Sequence, residues 1–476
     1  MSLKRAALFL SLLLPLAACS GGPAPTTATP LPSPSAPSAP VDLATFVRSV
    51  NDGRRALTET EGTIDLSPWT ADFSNQLNLL TPEEMQLLLT PHEAAGPCTL
   101  QQLTEDAETA FTLLKTTYGA YDYFGGDEVF LPLLDQVKAG LAEARYPTAS
   151  VLSDLLYQAL APVLRDGHFS IDGKRVIADQ ELTMYYVPGL FFDDPSGLDP
   201  DCVKLTVAGD GHIAYGFAAL TRDPFSLPDR AVVEGKEVPL SWVAAAPAGR
   251  TDPDAYRETQ WEGLPVLHSR SMASLTPEQE AQLTCFAASG PEWAEHPAFV
   301  FDVRSNSGGN SRWMAEWSAG FLGAPARPKK TFAHKYSSLG VLGLGYPKEQ
   351  MGTWNVYAEE GTFAENDSLI LLLQDTFTAS AGEEAVQILR SMDNVLILGS
   401  NTSGCSLVCD NHTYYLPHTG LSLFFGTGLS FDERLENRDG TGFLPDLWVD
   451  PQSVEEAVLR LCNMTLCRKS RKEEAL

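Results

Sequence analysis

The stretch of residues 369–398, LILLLQDTFTASAGEEAVQILRSMDNVLIL, decides the fold class of this 476-residue chain. Residues 369–373 form a continuous apolar run, as expected of a strand that is buried on both faces. Residues 380–392 form a helical stretch, and residues 395–398 form a second buried run. A strand, a helix and a strand in this order form a right-handed crossover between parallel strands. The sequence therefore predicts an α/β core.

Patterns on either side of this stretch extend the predicted core. Residues 299–303, FVFDV, read as a short strand, and Gly308-Gly309 separates it from a helix over 311–321. Residues 414–425 predict a hairpin with its turn at residues 418–420.

The region before the core contains two different patterns. Residues 100–118 and 151–164 have helical apolar spacing. From residue 171 to about 240, short apolar runs alternate with Gly and Pro, which predicts β structure. Thr276-Pro277 predicts the start of a helix, with Thr276 as the N-cap.

The N-terminus predicts export and lipid attachment. Lys4-Arg5 precedes an apolar run over 6–16, which is short for a membrane span and typical of an export signal. The following LAAC, ending at Cys19, resembles the box at which bacterial lipoproteins are cut before an acylated cysteine. An ordinary secretory signal with a chance cysteine is the alternative. Residues 20–40 are almost all Ser, Gly, Pro, Ala and Thr, which suits a tether.

These patterns divide the chain into seven segments, and its length favours two or three structural units. The segments are a lipoprotein signal peptide (1–18), a lipidated cysteine with a Pro/Ser/Thr-rich tether (19–42), a helical N-terminal domain (43–170), a β-rich segment (171–250), a helical connector (251–296), an α/β core (297–455) and a C-terminal helix with a charged tail (456–476). We expect the protein on the extracytoplasmic side of a membrane, held by its lipid.

The charge of the chain limits its partners. Its 61 acidic and 33 basic residues give a formal net charge of −28. This argues against nucleic acid as a partner and against binding flat on an anionic membrane. A P-loop, a dinucleotide fingerprint and a His-Glu-x-x-His motif are all missing from the sequence, so we expect neither a cofactor nor a metal.

Ser380 lies at the predicted junction between the strand and the helix of the opening stretch. A helix N-terminus offers free N–H groups and a partial positive charge, which stabilise a developing oxyanion. Serine is also a favoured N-cap, so a purely structural role is the alternative.

Two other segments favour chemistry over capping. Residues 301–309, FDVRSNSGG, are a strand that ends in a double glycine, where a backbone amide can approach a substrate carbonyl. Residues 166–169, DGHF, place His168 just after a helix. An ordinary turn and a packed loop histidine are the respective alternatives.

Four motifs in this order resemble the core of peptidase family S41. They are Asp-Gly-His (166–168), Asp-x-Arg-x-Asn-x-Gly-Gly (302–309), Thr-Ala-Ser-Ala-x-Glu (378–383) and Gly-x-x-Pro-Asp (442–446). The resemblance covers residues 100–170 and 297–450. It implies a ClpP/crotonase-like α/β core and hydrolysis of a polypeptide substrate by Ser380. It also implies an oxyanion hole formed by Gly308 or Gly309 together with Ala381.

The family has two catalytic arrangements. C-terminal processing peptidases use a Ser–Lys dyad, but Cys405 stands where that lysine is expected, and the core has no lysine between Lys348 and Lys469. The tricorn-like branch uses a Ser–His pair with a glutamate and a second serine, and His168 fits its histidine. Gly167 stands in the place of the second serine, which leaves that role unfilled.

The supporting acid of the family lies a few residues before the Gly-x-x-Pro-Asp motif. Asp439 occupies that place, and Glu436 is the alternative. Such an acid would orient the imidazole of the histidine. A solvated charged loop over 432–439 is the other reading. With a histidine base of ordinary pKa, about 6.5, activity should rise through that pH region.

The cysteines allow two different constraints near this site. Export permits disulfides, and we predict one between Cys405 and Cys409. A zinc site formed by these two thiols with His412 and His418 is the alternative.

A catalytically inactive protein of the same fold, binding peptides or other ligands in the former cleft, is the competing function. Retention of Asp-Gly-His beside the Ser380 motif favours an active enzyme.

Overall fold

The computed structural model describes residues 42–58, 64–249, 253–432 and 437–473. Cys19, the signal and the tether, as well as Glu436, lie outside the described residues.

The helices of the described residues are α1 (Leu43–Thr58), α2 (Pro82–Leu88), α3 (Leu100–Thr117), α4 (Gly126–Glu143), α5 (Ala149–Leu160), α6 (Pro277–Ala288), α7 (Gly290–Trp293), α8 (Arg312–Leu322), α9 (Ser338–Gly343), α10 (Ala381–Arg390) and α11 (Val454–Glu473). The strands are β1 (Ser170–Ile171), β2 (Lys174–Arg175), β3 (Thr183–Phe192), β4 (Val203–Val207), β5 (Ile213–Thr221), β6 (Arg230–Val233), β7 (Lys236–Pro239), β8 (Val243–Ala244), β9 (Tyr256–Trp261), β10 (Leu264–Ser269), β11 (Ala298–Asp302), β12 (Lys330–Lys335), β13 (Trp354–Glu359), β14 (Leu369–Gln374), β15 (Val395–Gly399), β16 (Val408–Tyr415), β17 (Ser422–Asp432) and β18 (Leu447–Trp448).

The central sheet has the strand order β18-β15-β14-β11-β10-β9 and is parallel except for its last pair. Its neighbouring side chains alternate between two buried faces. Phe301, Leu372 and Ile397 pack toward α6, α8 and α10, while Leu371 and Leu396 pack with α1 and α11. Burial on both faces explains why the strands are continuous apolar runs. The predicted α/β class and the strand–helix–strand crossover are confirmed.

A second sheet, the cleft sheet, has the order β13-β12-β17-β1-β2, with β16 on the other edge of β17. Tyr415 pairs with Ser422, so β16 and β17 form the hairpin predicted over 414–425. The N-terminal helices α3, α4 and α5 share a hydrophobic core with this sheet. The ring of Phe169 lies between those of Tyr118 and Phe425, which fixes the segment just after His168.

The β-rich segment forms the sheet β4-β5-β3-β8 and the hairpin β6–β7, as the pattern over 171–250 predicts. The segment 251–296 differs from the expected helical connector. Its first half forms β9 and β10, which join the central sheet, and helix begins only at Pro277. Residues 256–269 are strands because Glu262 and Gly263, both with positive φ, form the tight two-residue turn of a hairpin.

The helices of residues 43–170 are divided between the two sheets. Arg54 of α1 forms an ion pair with Asp446 and donates to the carbonyl of Val395 in the central sheet. All described residues belong to one compact unit. Among them, no helix combines the length and apolarity needed to cross a membrane.

Candidate active site

Ser380 occupies a strained backbone position between β14 and α10. Its φ of 53° and ψ of −121° lie where a residue with a side chain rarely sits, and such a conformation costs about 1–3 kcal/mol. The surrounding loop holds it there, since the Ala379 N–H donates to the Asn306 carbonyl (2.9 Å) and the Thr378 hydroxyl to the Val303 carbonyl (3.0 Å). Strain that the fold maintains at a serine is typical of functional sites.

The double glycine lies directly against Ser380. A Cβ on Gly308 would come within 2.8 Å of the Ser380 Cβ and 2.9 Å of the Ala381 nitrogen. The Gly308 N–H already donates to Asn306 Oδ1 (2.9 Å). In the described part of the chain, the N–H groups of Gly309 and Ala381 have no acceptor. Both residues line the same cleft as Ser380.

Glu383 ties the nucleophile segment to the loop 402–405. Its buried carboxylate accepts from the Ser380 N–H (3.3 Å), the Thr402 hydroxyl (2.5 Å) and the N–H groups of Gly404 (2.9 Å) and Cys405 (2.7 Å). Burial raises the pKa of Glu383 to about 7. Glu383 ends the Thr-Ala-Ser-Ala-x-Glu motif, but no role was predicted for it. An acid three residues after an N-cap is nevertheless a known signal.

The loop before His168 is fixed by a buried carboxylate. Asp166 Oδ1 accepts from the N–H groups of His168 (2.8 Å) and Phe169 (3.2 Å), and Oδ2 accepts from the Tyr118 hydroxyl (2.7 Å). Burial, and then the charge of Asp439, raise the pKa of Asp166 to about 7. The motif therefore sets the backbone that carries the histidine.

Gly167 has a steric reason to differ from the serine of the tricorn-like pattern. A Cβ there would lie 2.2 Å from the Gly404 carbonyl oxygen and 2.6 Å from Cys405 Sγ. Arg175 Nε donates to the Gly167 carbonyl (3.0 Å). Close packing of the histidine loop on residues 404–405 leaves no room for a second serine.

The ring of His168 lines the same cleft as Ser380, but the two side chains are not hydrogen-bonded. Both ring nitrogens are buried, and no side chain of the described residues hydrogen-bonds to them; the Val408 backbone is close enough to act on the pKa of the ring. Burial, and then the positive charge of Arg175, lower the pKa of His168 to about 4. The imidazole is therefore neutral at physiological pH, which is the form that a general base requires.

Asp439 lies beside the histidine loop rather than on the ring. Its buried carboxylate accepts from the N–H groups of Gly167 (2.7 Å), Ser406 (2.8 Å) and Leu407 (3.0 Å). It thus joins the histidine loop to the start of β16, and it does not hydrogen-bond to the imidazole.

The predicted disulfide between Cys405 and Cys409 is wrong, because both thiols are free. Cys405 Sγ points at the Gly167 carbonyl (3.3 Å) and Arg175 Nη2 (3.1 Å). Cys409 lies on β16, paired with Gly428, and faces His334. The two thiols therefore have different neighbours.

The cleft that contains Ser380 and His168 has a volume of about 1020 Å³. Its walls include Lys330 of β12, which precedes Ser380 in sequence, whereas the lysine expected for a dyad follows it. Lys330 forms an ion pair with Glu384 on the first turn of α10. A cation held in an ion pair is not available as a base, so the structure supplies no Ser–Lys dyad within the described cleft.

Comparison with known protein families gives a match within the core. Residues 271–449 match the model of peptidase family S41, which supports a serine peptidase. No curated protein matches the chain by sequence.

Several solved structures are similar at low identity. The structure of mature CPAF is 12% identical, with a TM-score of 0.45, over 76% of this chain and 98% of that one. The photosystem II D1 C-terminal processing protease is 14% identical, with a TM-score of 0.38, over 77% and 97%. A lipoprotein from Streptococcus agalactiae is 13% identical, with a TM-score of 0.37, over 76% and 96%.

Proposed function

We propose that the chain is an extracytoplasmic serine endopeptidase in which Ser380 is the nucleophile and His168 the general base. The observation that carries the proposal is the strained Ser380, held against two backbone amides that have no acceptor among the described residues, in a cleft that also contains the neutral imidazole of His168. A capping serine has no need of a strained backbone, whereas a nucleophile gains exposure from it.

The proton path follows from the state of the imidazole. His168 takes the proton of the Ser380 hydroxyl as oxygen attacks the scissile carbonyl, and returns it to the leaving amine. The resulting acyl-enzyme at Ser380 is hydrolysed by water in the same way. Forming the missing hydrogen bond requires the ring to move, as is common when catalytic contacts tighten only with substrate bound.

The oxyanion would be held by Gly309 and Ala381. Gly308 N–H is already committed to Asn306, so its contribution is to bring the next amide close to Ser380. The N-terminus of α10 adds partial positive charge at the same point. Removing one such donor elsewhere costs about a hundred- to thousandfold in rate.

Asp439 acts in this scheme as a positioning residue. It holds the histidine loop through the Gly167 N–H, and among the described residues no carboxylate hydrogen-bonds to the imidazole. Glu436 remains the alternative acid from the sequence.

An inactive peptide-binding protein is the second candidate, favoured by the missing hydrogen bond between His168 and Ser380. Labelling with a fluorophosphonate distinguishes the two functions, because it requires an activated serine. We expect the wild type and the matched control Ser307→Ala, an exposed serine of the same cleft, to be labelled. Ser380→Ala should not be labelled. Labelling that survives in Ser380→Ala would rule out this nucleophile, and an unlabelled wild type would favour the binding protein.

We also propose that the chain is anchored by lipid at Cys19, which rests on the LAAC box and the tether after it. Mass spectrometry of the mature N-terminus should find a diacyl or triacyl cysteine. An unmodified N-terminus at another residue would contradict this.

A further inference from the structure

His334, Cys409 and Asp410 form a cluster of donor atoms on the wall of the cleft. One donor atom from each lies within 4.8 Å of the other two. His334 comes from β12, and the other two are neighbours on β16. The proposed mechanism uses none of them.

The local backbone brings both β16 side chains to the cleft. Neighbouring side chains on a regular strand point to opposite faces, yet Cys409 and Asp410 both line the cleft. Asp410 has a φ of 56°, in the left-handed region, which breaks the alternation.

A glycine provides the space between the donors. A Cβ on Gly428 would lie 2.7 Å from Cys409 Sγ and 2.9 Å from His334 Nδ1. The absence of a side chain at Gly428 therefore leaves a small space that is bordered by a thiol and an imidazole nitrogen.

Outer hydrogen bonds orient these donors as they would around a metal. The Tyr346 hydroxyl donates to Asp410 Oδ2 (2.5 Å) and also contacts the Thr427 hydroxyl (2.7 Å). His334 Nε2 lies 3.3 Å from the Tyr357 hydroxyl, and Nδ1 forms a direct hydrogen bond with Asp410 Oδ2 (2.6 Å), which a bound metal would replace. Metal-binding histidines usually have such a partner on the second ring nitrogen, and ligating carboxylates are held in the same way.

We propose that His334 Nδ1, Cys409 Sγ and an Asp410 carboxylate oxygen bind a zinc ion, with a fourth coordination position open to the cleft. Zinc takes nitrogen, sulfur and oxygen donors in tetrahedral sites, and three protein ligands with one open position are the pattern of its reactive sites. A thiolate and a carboxylate together neutralise the charge of the ion. This ligand set differs from the zinc site considered from the sequence, which included Cys405. That thiol faces the Gly167 carbonyl instead.

Cobalt(II) is the probe for this site, since it reports thiolate coordination through a charge-transfer band and tetrahedral geometry through its visible bands. The full-length chain, reduced and freed of metal with a chelator, should show both features with cobalt and lose them when zinc is added. Cys409→Ser should lose the charge-transfer band. His334→Ala and Asp410→Asn should each weaken cobalt binding by about tenfold or more, and asparagine tolerates the left-handed backbone at position 410.

Matched controls separate the site from general metal binding and from misfolding. Cys285→Ser, on an exposed thiol, and His212→Ala, which breaks a surface His–Asp pair, should leave the spectrum unchanged. Ser380→Ala should also keep it, so the result does not depend on the proposed catalysis. A wild type without the thiolate band, a band that survives in Cys409→Ser, or full affinity in both His334→Ala and Asp410→Asn would overturn the proposal.

Discussion

The cleft has a nucleophile half around Ser380 and a histidine half around His168, and different kinds of contact hold the two in place. Ser380 is held mainly by backbone contacts between two loops at the end of the central sheet, through Ala379 and Gly308. His168 is carried by a loop whose hydrogen bonds go mainly to two buried carboxylates, Asp166 and Asp439. The first half is complete without substrate, whereas in the second no side chain of the described residues hydrogen-bonds to the imidazole.

This difference indicates which half changes its geometry when substrate binds. Backbone positions in packed loops can change only if the sheet ends move, so the geometry around Ser380 is pre-organised. No side chain of the described residues hydrogen-bonds to the His168 ring, so its packing is what opposes a change of rotamer. Substrate binding would then act mainly on the histidine half.

Ser380→Ala and His168→Ala test whether the halves work as one unit. Each single variant should lower kcat for a peptide substrate by roughly a millionfold, and the double variant should be no slower than either, because residues that act together are not additive. Steady-state hydrolysis measures all three. Turnover of His168→Ala at the wild-type rate would assign the base to another group, and multiplied losses would mean that the halves act independently.

Gly308→Ala tests the pre-organised half. The added methyl would lie 2.8 Å from the Ser380 Cβ, and displacing the oxyanion donors should lower kcat by about a hundred- to thousandfold. Gly323→Ala is the matched control, because Gly323 also has a positive φ (70°) but open space around its Cα. Both variants should be less stable in thermal unfolding, and only Gly308→Ala should lose activity. Equal kcat values would argue against the assigned oxyanion hole.

Asp439→Asn tests the histidine half. An amide replaces one carboxylate oxygen with a donor that faces backbone N–H groups, which should loosen the histidine loop. Because small misplacements of a catalytic group cost up to about a hundredfold, we expect kcat to fall by roughly ten- to a hundredfold with little change in KM.

Asp106→Asn is the control for this substitution. Asp106 is equally buried and accepts from the N–H groups of His418 and Thr419, away from the cleft residues. It should lower stability without a selective loss of kcat. If the two variants lose kcat equally, Asp439 has no special role in positioning.

The contrast between the halves also explains what could be predicted from sequence. The central strands and the position of Ser380 follow from local apolar runs and a strand–helix junction, so nearby residues determined them. The partners of Asp439 are backbone amides from residues 167, 406 and 407, which become neighbours only when β16 packs on the histidine loop. No local pattern shows such contacts.

Two expectations from the sequence were wrong: the disulfide and the helical connector. The proximity of Cys405 and Cys409 in sequence suggested a disulfide, but strand geometry sends their thiols to different neighbours. The hairpin of β9 and β10 did have a weak signal, since Gly263 can take the positive φ that a two-residue turn requires.

The pH dependence is the smallest expected effect and tests the electrostatics of the histidine half. Because burial lowers the pKa of His168 to about 4, the base is already neutral at pH 5.5, and kcat/KM should be nearly flat from pH 5.5 to 7.5 on its account. A histidine with the ordinary pKa of about 6.5 would give roughly a tenfold rise over the same range.

Two variants assign any acidic limb that is observed. Arg175→Gln removes the positive charge that, after burial, lowers the pKa of His168, so the acidic limb of this variant should move to higher pH. Glu383, with a pKa of about 7, can add a limb of its own, and Glu383→Gln identifies it. A limb near pH 6.5 that persists in Glu383→Gln and does not move in Arg175→Gln would show that the working imidazole is not in the buried position described here.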